Sequence, residues 1–474
     1  MKSFLSGAAL TFAIWLHLAF SGFAQSTNMA GVENGVGFLA SGTSIQPRTT
    51  SESTPMIHGT LGNWTAMFHA NVFLADIQQT GPRKGDKFFS TNWFMPMIER
   101  QFGRHALTFR TMLSLEPLTI TKRRYPLLFQ TGETAYGFSI VDGQHPHDFV
   151  GELAGKYEFR IGEHSQAFVY GGPVGDAALG PTAFPHRASA SENPLATIGH
   201  HMQDSTHIAT SVITLGLTGG PFQVEASTFH GREPDENRWN MDKGKPDSFA
   251  ARLSVAPISS LSAQVSTGRI NNPEVTDPNL NTVRTTASIH HSLVLPSGQI
   301  ASSLIWGRNK DLKNGSVRIF NSYTFESTAK FIRRNWVWTR IENVDRDRSL
   351  LPVPKQSVPV CLLCGVVGFG SVVADDPANA GVFDHTLPGP DGKPVTIEEV
   401  PIGRVQAYTL GYEREFPSGL SWLNAGLGFQ ATMYGLPPQL KTVYGNRPAT
   451  LTAFLRLRPS GNMTEHMKSM HQHR

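Results

Sequence analysis

From Trp64 onward the chain alternates apolar and polar residues with period two, the pattern that places successive side chains on opposite faces of an extended strand. Phe249, Ala251, Leu253 and Val255 alternate with Ser248, Ala250, Arg252 and Ser254. Leu261, Ala263 and Val265 alternate with Ser262, Gln264 and Ser266, and Leu451, Ala453, Leu455 and Leu457 with Thr450, Thr452, Arg456 and Arg458. Phe149, Leu153, Tyr157, Phe159 and Ile161 stand in the same way against Glu152, Lys156, Glu158 and Arg160. Each of these strands therefore has one apolar face and one wet face.

A soluble sandwich produces the same alternation, so the connections decide between architectures. Tight links occur at Gly103-Arg104, Gly162-Glu163-His164, Gly219-Gly220-Pro221, Pro257–Ser260, Pro296-Ser297-Gly298, Ser327-Thr328 and Pro417-Ser418-Gly419. Longer links fall between them at about 76–87, 118–147, 172–206, 231–247, 270–281, 309–315, 346–401 and 433–447. Short turns on one rim and long loops on the other are the layout of a bacterial outer-membrane barrel, with turns in the periplasm and loops outside. Seven short links and eight long ones join sixteen strands, at 63–75, 88–102, 105–117, 148–161, 164–171, 207–218, 221–230, 248–256, 261–269, 282–295, 298–308, 316–326, 330–345, 403–416, 419–432 and 448–458. The predicted fold is all-β: one transmembrane antiparallel up-and-down barrel over residues 63–459, with a long loop insertion at 346–401. Trp64, Trp306, Tyr412, Trp422 and Tyr434 stand at strand ends as candidate interfacial girdles.

Composition narrows the setting. Charged residues are 16% of the 474, below the soluble norm of about a quarter, and Gly 45 with Pro 31 suit many strands and turns. The net charge of +4 is not gathered into a basic stripe, so nucleic acid is a poor partner. Residues 1–24 have the three parts of a secretory signal peptide: Lys2, an apolar stretch from Phe4 to Phe20, and Gly22-Phe23-Ala24. Past the leader there is no run of the ~18 apolar residues a helical span needs. The expected address is the outer membrane of a Gram-negative-type bacterium, with its lipid as the surrounding partner. Residues 25–62, rich in Gly, Ser and Thr, read as a flexible lead-in, and 460–474 as a tail.

With the apolar face outward, the lumen receives Met67, His69, Arg110, Glu152, Lys156, Glu158, Arg160, Glu225, Arg252, Arg284, His290, Arg318, Glu326 and Arg456. Such a wall lines an aqueous channel for a small solute unless a loop fills it, or it is salt-bridged filling without a selective role.

Histidine is unevenly placed among its 18 copies. Gln144-His145-Pro146-His147-Asp148 ends one long loop, and Gly199-His200-His201-Met202-Gln203-Asp204-Ser205-Thr206-His207 ends the next. Both runs enter a strand at the same rim, and His145 and His147 share a face in extended chain. His145, His147, His200, His201 and His207, with Asp204, are therefore candidate ligands for a zinc or copper ion, with Asp148 and His186 as supporting partners. The alternative is a hydrogen-bonded loop pair. Met463, His466, Met467, Met470, His471 and His473 bring thioether and imidazole donors together in the tail, a set suited to copper. Cys361 and Cys364, in the longest loop, form either a small disulfide or two thiolate ligands. Gly231–Trp239 is a dense charge run, read as a salt-bridged turn or as carboxylates completing a metal site. A hydrolase would need a nucleophile, for which Ser205 is the serine nearest the histidines, and no G-x-S-x-G elbow is present.

Six segments carry a family resemblance: Ser41–Ser44, Gly85–Met95, Leu113–Thr119, Val141–Phe149, Ala183–Ala190 and Gly231–Trp239. On these the chain resembles a family of bacterial outer-membrane barrel proteins that often accompany heavy-metal or copper-resistance systems. The resemblance covers roughly residues 41–270 and implies metal handling without assigning any residue a role. The leading expectation is a channel or a metal-associated envelope barrel. A metal-dependent hydrolase and a purely structural or surface-binding barrel are the rivals.

Overall fold

The structure is a computed structural model that describes residues 37–50, 54–277, 279–332, 334–351, 384–388, 391, 393–398 and 401–460. Sixteen long antiparallel strands close into a barrel. In chain order they are β1 (Trp64–Gln79), β2 (Asp86–Phe102), β3 (His105–Leu113), β4 (Val150–Arg160), β5 (Ser165–Gly175), β6 (Ala209–Gly219), β7 (Phe222–His230), β8 (Ser248–Ile258), β9 (Leu261–Asn271), β10 (Asn281–Leu295), β11 (Gly298–Lys313), β12 (Ser316–Phe331), β13 (Asn335–Asp347), β14 (Pro401–Pro417), β15 (Leu423–Gly435) and β16 (Ala449–Pro459). Each pairs with its chain neighbours, and β16 closes on β1 through Thr450 opposite Gln79 down to Leu457 opposite Val72. A short strand, Ile57–Leu61, continues that seam beside Trp64–Phe68.

Face assignment follows from the alternation. In β6, Ile213, Leu215 and Leu217 are 51%, 58% and 59% exposed, while Val212, Thr214 and Thr218, on the alternate positions, are buried. The same inversion holds for Glu225 and Arg252, buried and paired at 2.8 Å, against exposed Val224 and Leu253. Apolar residues outside and charged residues inside are the reverse of a soluble protein and fit a barrel in lipid. Of the residues expected in the lumen, Arg160 departs: it is exposed at the end of β4, beyond the barrel's shelter. Tyr434, expected in a girdle, turns inward and meets Thr450 at 3.1 Å.

Two connections differ from expectation. The predicted long loop at 309–315 is a two-residue turn, because β11 and β12 stay paired as far as Lys313 opposite Ser316. Asn314 and Gly315 take φ of 46° and 88°, the left-handed pair that matches a hairpin's twist. The predicted turn at Ser327-Thr328 lies inside β12, which stays paired with β13 as far as Phe331 opposite Asn335. Serine and threonine resemble turn residues in sequence, but here they line the wall, where Thr328 donates to the Ser189 carbonyl at 2.8 Å.

The larger finding is where the long loops go. The loop after β5 turns inward, and nearly every residue from Asp176 to Thr210 is buried. Its carbonyls and side chains bond strands all round the barrel. Asn71 of β1 donates to Ser191 O, Arg252 of β8 to Gly180 O, Arg340 of β13 to Leu195 O, and Arg456 and Arg458 of β16 pair with Glu192. The loop after β3 adds a hairpin, Tyr125–Ala135 with Phe138–Gln144, against one wall. Ile120, Tyr125, Leu128, Phe129, Leu195 and Ile198 pack there on Phe73, Phe89, Trp336 and Phe454, an apolar core inside the barrel. From the other end, the hairpin Phe38–Ser41 and Ser44–Gln46 enters the lumen, where a flexible lead-in was expected. Ser41 donates to Asp176 at 2.6 Å, and Gln46 to the His186 carbonyl at 3.0 Å. The barrel is thus filled by its own chain.

Candidate functional site

The five histidines of the two sequence runs meet inside the outer half of the lumen, not at its rim. His145 and His147 come from the end of the loop before β4. His200 and His201 lie in a one-turn helix, His200–Gln203, and His207 in a 3-10 turn, Ser205–Ile208. Their imidazoles form a closed ring of contacts. Centroid distances are 6.4 Å from His145 to His147, 5.6 Å to His207, 5.3 Å to His200, 5.2 Å to His201 and 5.9 Å back to His145. Phe184 caps one side, 5.2 Å from His200. Wall residues seat the helix: Gln203 bonds Ser322 and Thr324, while Arg284 and Asn309 donate to the His201 carbonyl.

Each ring nitrogen has an assigned neighbour or none. His147 Nδ1 meets Glu116 at 3.0 Å, His200 Nδ1 meets Asp204 at 2.7 Å, His201 Nδ1 meets Glu233 at 3.2 Å, and His207 Nδ1 donates to the Asp204 carbonyl at 2.9 Å. Acceptors on Nδ1 fix the tautomer and leave Nε2 with its lone pair, the form in which imidazole binds a metal ion. Nε2 of His201 and of His207 is buried without a hydrogen-bond partner. His145 differs, since its Nδ1 faces the Pro146 carbonyl at 3.1 Å and its Nε2 lies 2.7 Å from Glu133. As the side chains stand, no group of three or more His, Cys, Asp and Glu among the described residues forms a ready metal cage.

The electrostatics follow from burial and partners. Burial pushes the His200 imidazole down to about 4 against the pull of Asp204, and His207 down to about 3. For His147 and His201 burial acts downward too, but Glu116 and Glu233 outweigh it and the net shift is up. Glu133 is held low despite its burial, chiefly by Arg238. Burial, with Glu233 next to it, raises Glu274.

Several partners were absent from the sequence reading. Glu116, Glu133, Glu233 and Phe184 join the ring from three separate loops, and only the Gly231–Trp239 charge run pointed toward one of them. Within that run Glu233 reaches His201, while Arg238 is buried between Glu133 and Asp148, so the run forms ion pairs as a salt-bridged turn does. Asp148 accordingly serves Arg238, and Asp204 ties His200 to Arg187. His186 lies outside the ring, with Nε2 3.2 Å from the Met112 sulfur. Ser205 Oγ accepts from Arg284 at 2.9 Å. The predicted signal peptide, Cys361, Cys364 and the tail donors Met463, His466, Met467, Met470, His471 and His473 lie outside the described residues.

No family model matches the sequence, and no curated protein matches it. Among solved structures, an anion-selective porin from Comamonas acidovorans is similar at 10% identity and a TM-score of 0.46, over 83% of this chain and 99% of that one. OmpF of Salmonella typhi is similar at 7% identity and 0.44, over 84% and 100%. OpdL of Pseudomonas aeruginosa follows at 9% and 0.35, over 84% and 98%. Likenesses of this size carry nothing about solute or chemistry to this chain.

Proposed function

We propose that the protein is an outer-membrane barrel of the channel type, closed at rest by its own loops, that binds a divalent zinc- or copper-type ion at the histidine ring. The observation that carries the metal reading is the closed ring of five imidazoles, three buried and two half-buried, four of them with Nδ1 already engaged by protein acceptors. His147, His200, His201 and His207 would hold the ion through Nε2. Glu116, Asp204 and Glu233 orient the rings and supply negative charge beside it. His145, whose Nε2 faces the Glu133 carboxylate, serves as wall. The channel reading rests on the polar inner face of sixteen strands, a width that leaves an aqueous path wherever loops withdraw.

The test is bound metal in the full-length protein, purified in detergent, loaded with Zn(II) and desalted. One equivalent is expected in the wild type, lost in His200→Gln/His207→Gln. Unchanged stoichiometry in that variant, with heat-modifiable migration showing an intact barrel, overturns the metal reading. In planar bilayers the wild type should show little steady conductance. A large ohmic conductance at rest would overturn the closed state.

A further inference from the structure

A second group of donors lies beyond the ring, toward the short-turn end of the barrel. Met56, Met67, Met95, Met97 and Met112 are all buried and pack in one cluster with Trp93, Val174 and Ile208, the residue after His207. Cross-strand register sets them together: Met67 stands opposite Met97, and His69 opposite Met95. Trp93 bridges two imidazoles, 4.6 Å from His69 and 4.4 Å from His186. His186 Nε2 is 3.2 Å from the Met112 sulfur, and its Nδ1 is buried without a partner. Gly151 makes room for Met112, since a methyl group there would meet Met112 Cε at 2.2 Å. A small cavity lined by Met67, Met97, Leu39, Arg110, Lys156 and Tyr170 opens beside the cluster. Both cations in it are already paired, Arg110 with Glu152 at 2.8 Å and Lys156 with Glu158 at 2.7 Å.

Methionine often fills irregular gaps, and packing alone would explain one or two of these residues. Five thioethers grouped around two imidazoles, in a cluster apart from the aromatic core on Phe73, Phe89, Trp336 and Phe454, form a neutral soft-donor set. Thioether sulfur selects soft ions, Cu(I) above all, over Zn(II). We propose that this methionine–histidine nest is a binding site for a soft monovalent metal ion, Cu(I) or its analogue Ag(I), held by Met95, Met97, Met112 and His186. The nest adjoins the ring through Ile208 and His207, and its site stands whether or not the ring holds an ion.

The test uses full-length protein carrying Met463→Leu/Met467→Leu/Met470→Leu, which removes the tail's sulfurs as competitors. Cu(I) is supplied anaerobically against bicinchoninate, and Ag(I) serves as the redox-inert probe. The background protein should bind one Cu(I), with sulfur in its X-ray absorption shell. Adding Met95→Leu/Met97→Leu/Met112→Leu, changes that conserve volume, should weaken Cu(I) at least tenfold and remove the sulfur signal while Zn(II) stoichiometry stays the same. His186→Gln alone should weaken Cu(I) with the barrel intact, which keeps the test decisive should the triple change disturb folding. Unchanged Cu(I) affinity in both variants, or an all-nitrogen shell in the background protein, overturns the proposal. Loss of Zn(II) in the ring variant with Cu(I) unaffected would separate this site from the ring.

Discussion

Arg187 of the plug donates through Nε to Glu326 of the wall at 2.7 Å, and both side chains are wholly removed from solvent. The same guanidinium reaches Asp204 at 2.9 Å and the Thr182 carbonyl at 2.7 Å, so one residue ties the loop to itself and to β12. Glu326 also accepts from Arg340 at 2.9 Å. Removing one member of a buried ion pair leaves an uncompensated charge, at a cost of about 3–5 kcal/mol. Arg187→Leu is therefore expected to lower unfolding stability by about that amount and to raise single-channel conductance. Arg187→Leu/Asp204→Asn should recover part of the stability, since Glu326 keeps Arg340 as its partner while Asp204 is the carboxylate left without a cation. Conductance and stability both at wild-type values in the single variant would mean the plug is held elsewhere.

Glu116 orients His147 from the loop before the first plug hairpin, accepting from both its backbone N–H at 2.8 Å and its Nδ1 at 3.0 Å. A carboxylate behind a ligating imidazole typically contributes 10–100-fold to metal affinity. Glu116→Gln should weaken Zn(II) by roughly that factor, measured by competition with a chelator, while Cu(I) at the methionine nest stays put. Equal Zn(II) affinity would remove His147 from the ligand set.

Gly132 lies against the His201 ring with φ of +128°, and a methyl group there would sit 2.6 to 2.8 Å from three of its ring atoms. Both the backbone and the contact exclude a side chain, and a residue forced into such a region costs on the order of 1–3 kcal/mol. Gly132→Ala should displace His201, cut Zn(II) affinity and lower the melting temperature together. A variant that melts lower but binds Zn(II) normally would assign Gly132 to packing alone.

The barrel was legible because alternation is a local signal: the outward run Ile213, Leu215, Leu217 is visible in five consecutive residues. The two histidine runs were legible for the same reason, each being contiguous. What closes the ring was not, since Glu116 and Glu133 reach it from the connection after β3 and Glu233 from the one after β7, which only the folded chain brings together. The inward course of residues 176–208 was also hidden. Its Gly, Ala, Pro and Ser composition reads as exposed loop, and it is buried because wall residues such as Arg252 and Arg340 satisfy its carbonyls. The methionine nest escaped notice because Met56, Met67, Met95 and Met112 are dispersed in sequence and meet only through strand register and closure.

Asp176 begins the plug and receives Ser41 Oγ at 2.6 Å, pinning the amino-terminal hairpin in the lumen. Burial pushes its carboxyl up to about 7, against the opposing pull of Arg252. An unfolded aspartate titrates near ~3.9, so between about 4 and about 7 the folded chain keeps a proton that the unfolded chain has lost. Stability from this group is accordingly present at low pH and lost as pH rises through about 7. The melting temperature should fall between pH 5 and pH 8, and Asp176→Asn, which cannot ionise, should flatten that part of the profile. A profile unchanged by the substitution would show that the group does not titrate in this window.

Leu215, 58% exposed at the middle of β6, stands opposite Val169 and Ala226 on an outward face that carries no charge across those three strands at that level. In lipid an arginine at the midplane costs about 2–4 kcal/mol, and near the interfaces about 0–1. Leu215→Arg should therefore destabilise the folded protein by about 2–4 kcal/mol in phospholipid vesicles, read from urea titration of tryptophan fluorescence. Leu217→Arg, the next outward-facing position toward the short-turn end, should cost less than Leu215→Arg if the band is centred on Leu215. Were both variants neutral, and the wild type monodisperse without detergent, the apolar face would not be meeting lipid, because no soluble surface tolerates this much exposed leucine, valine and phenylalanine without association.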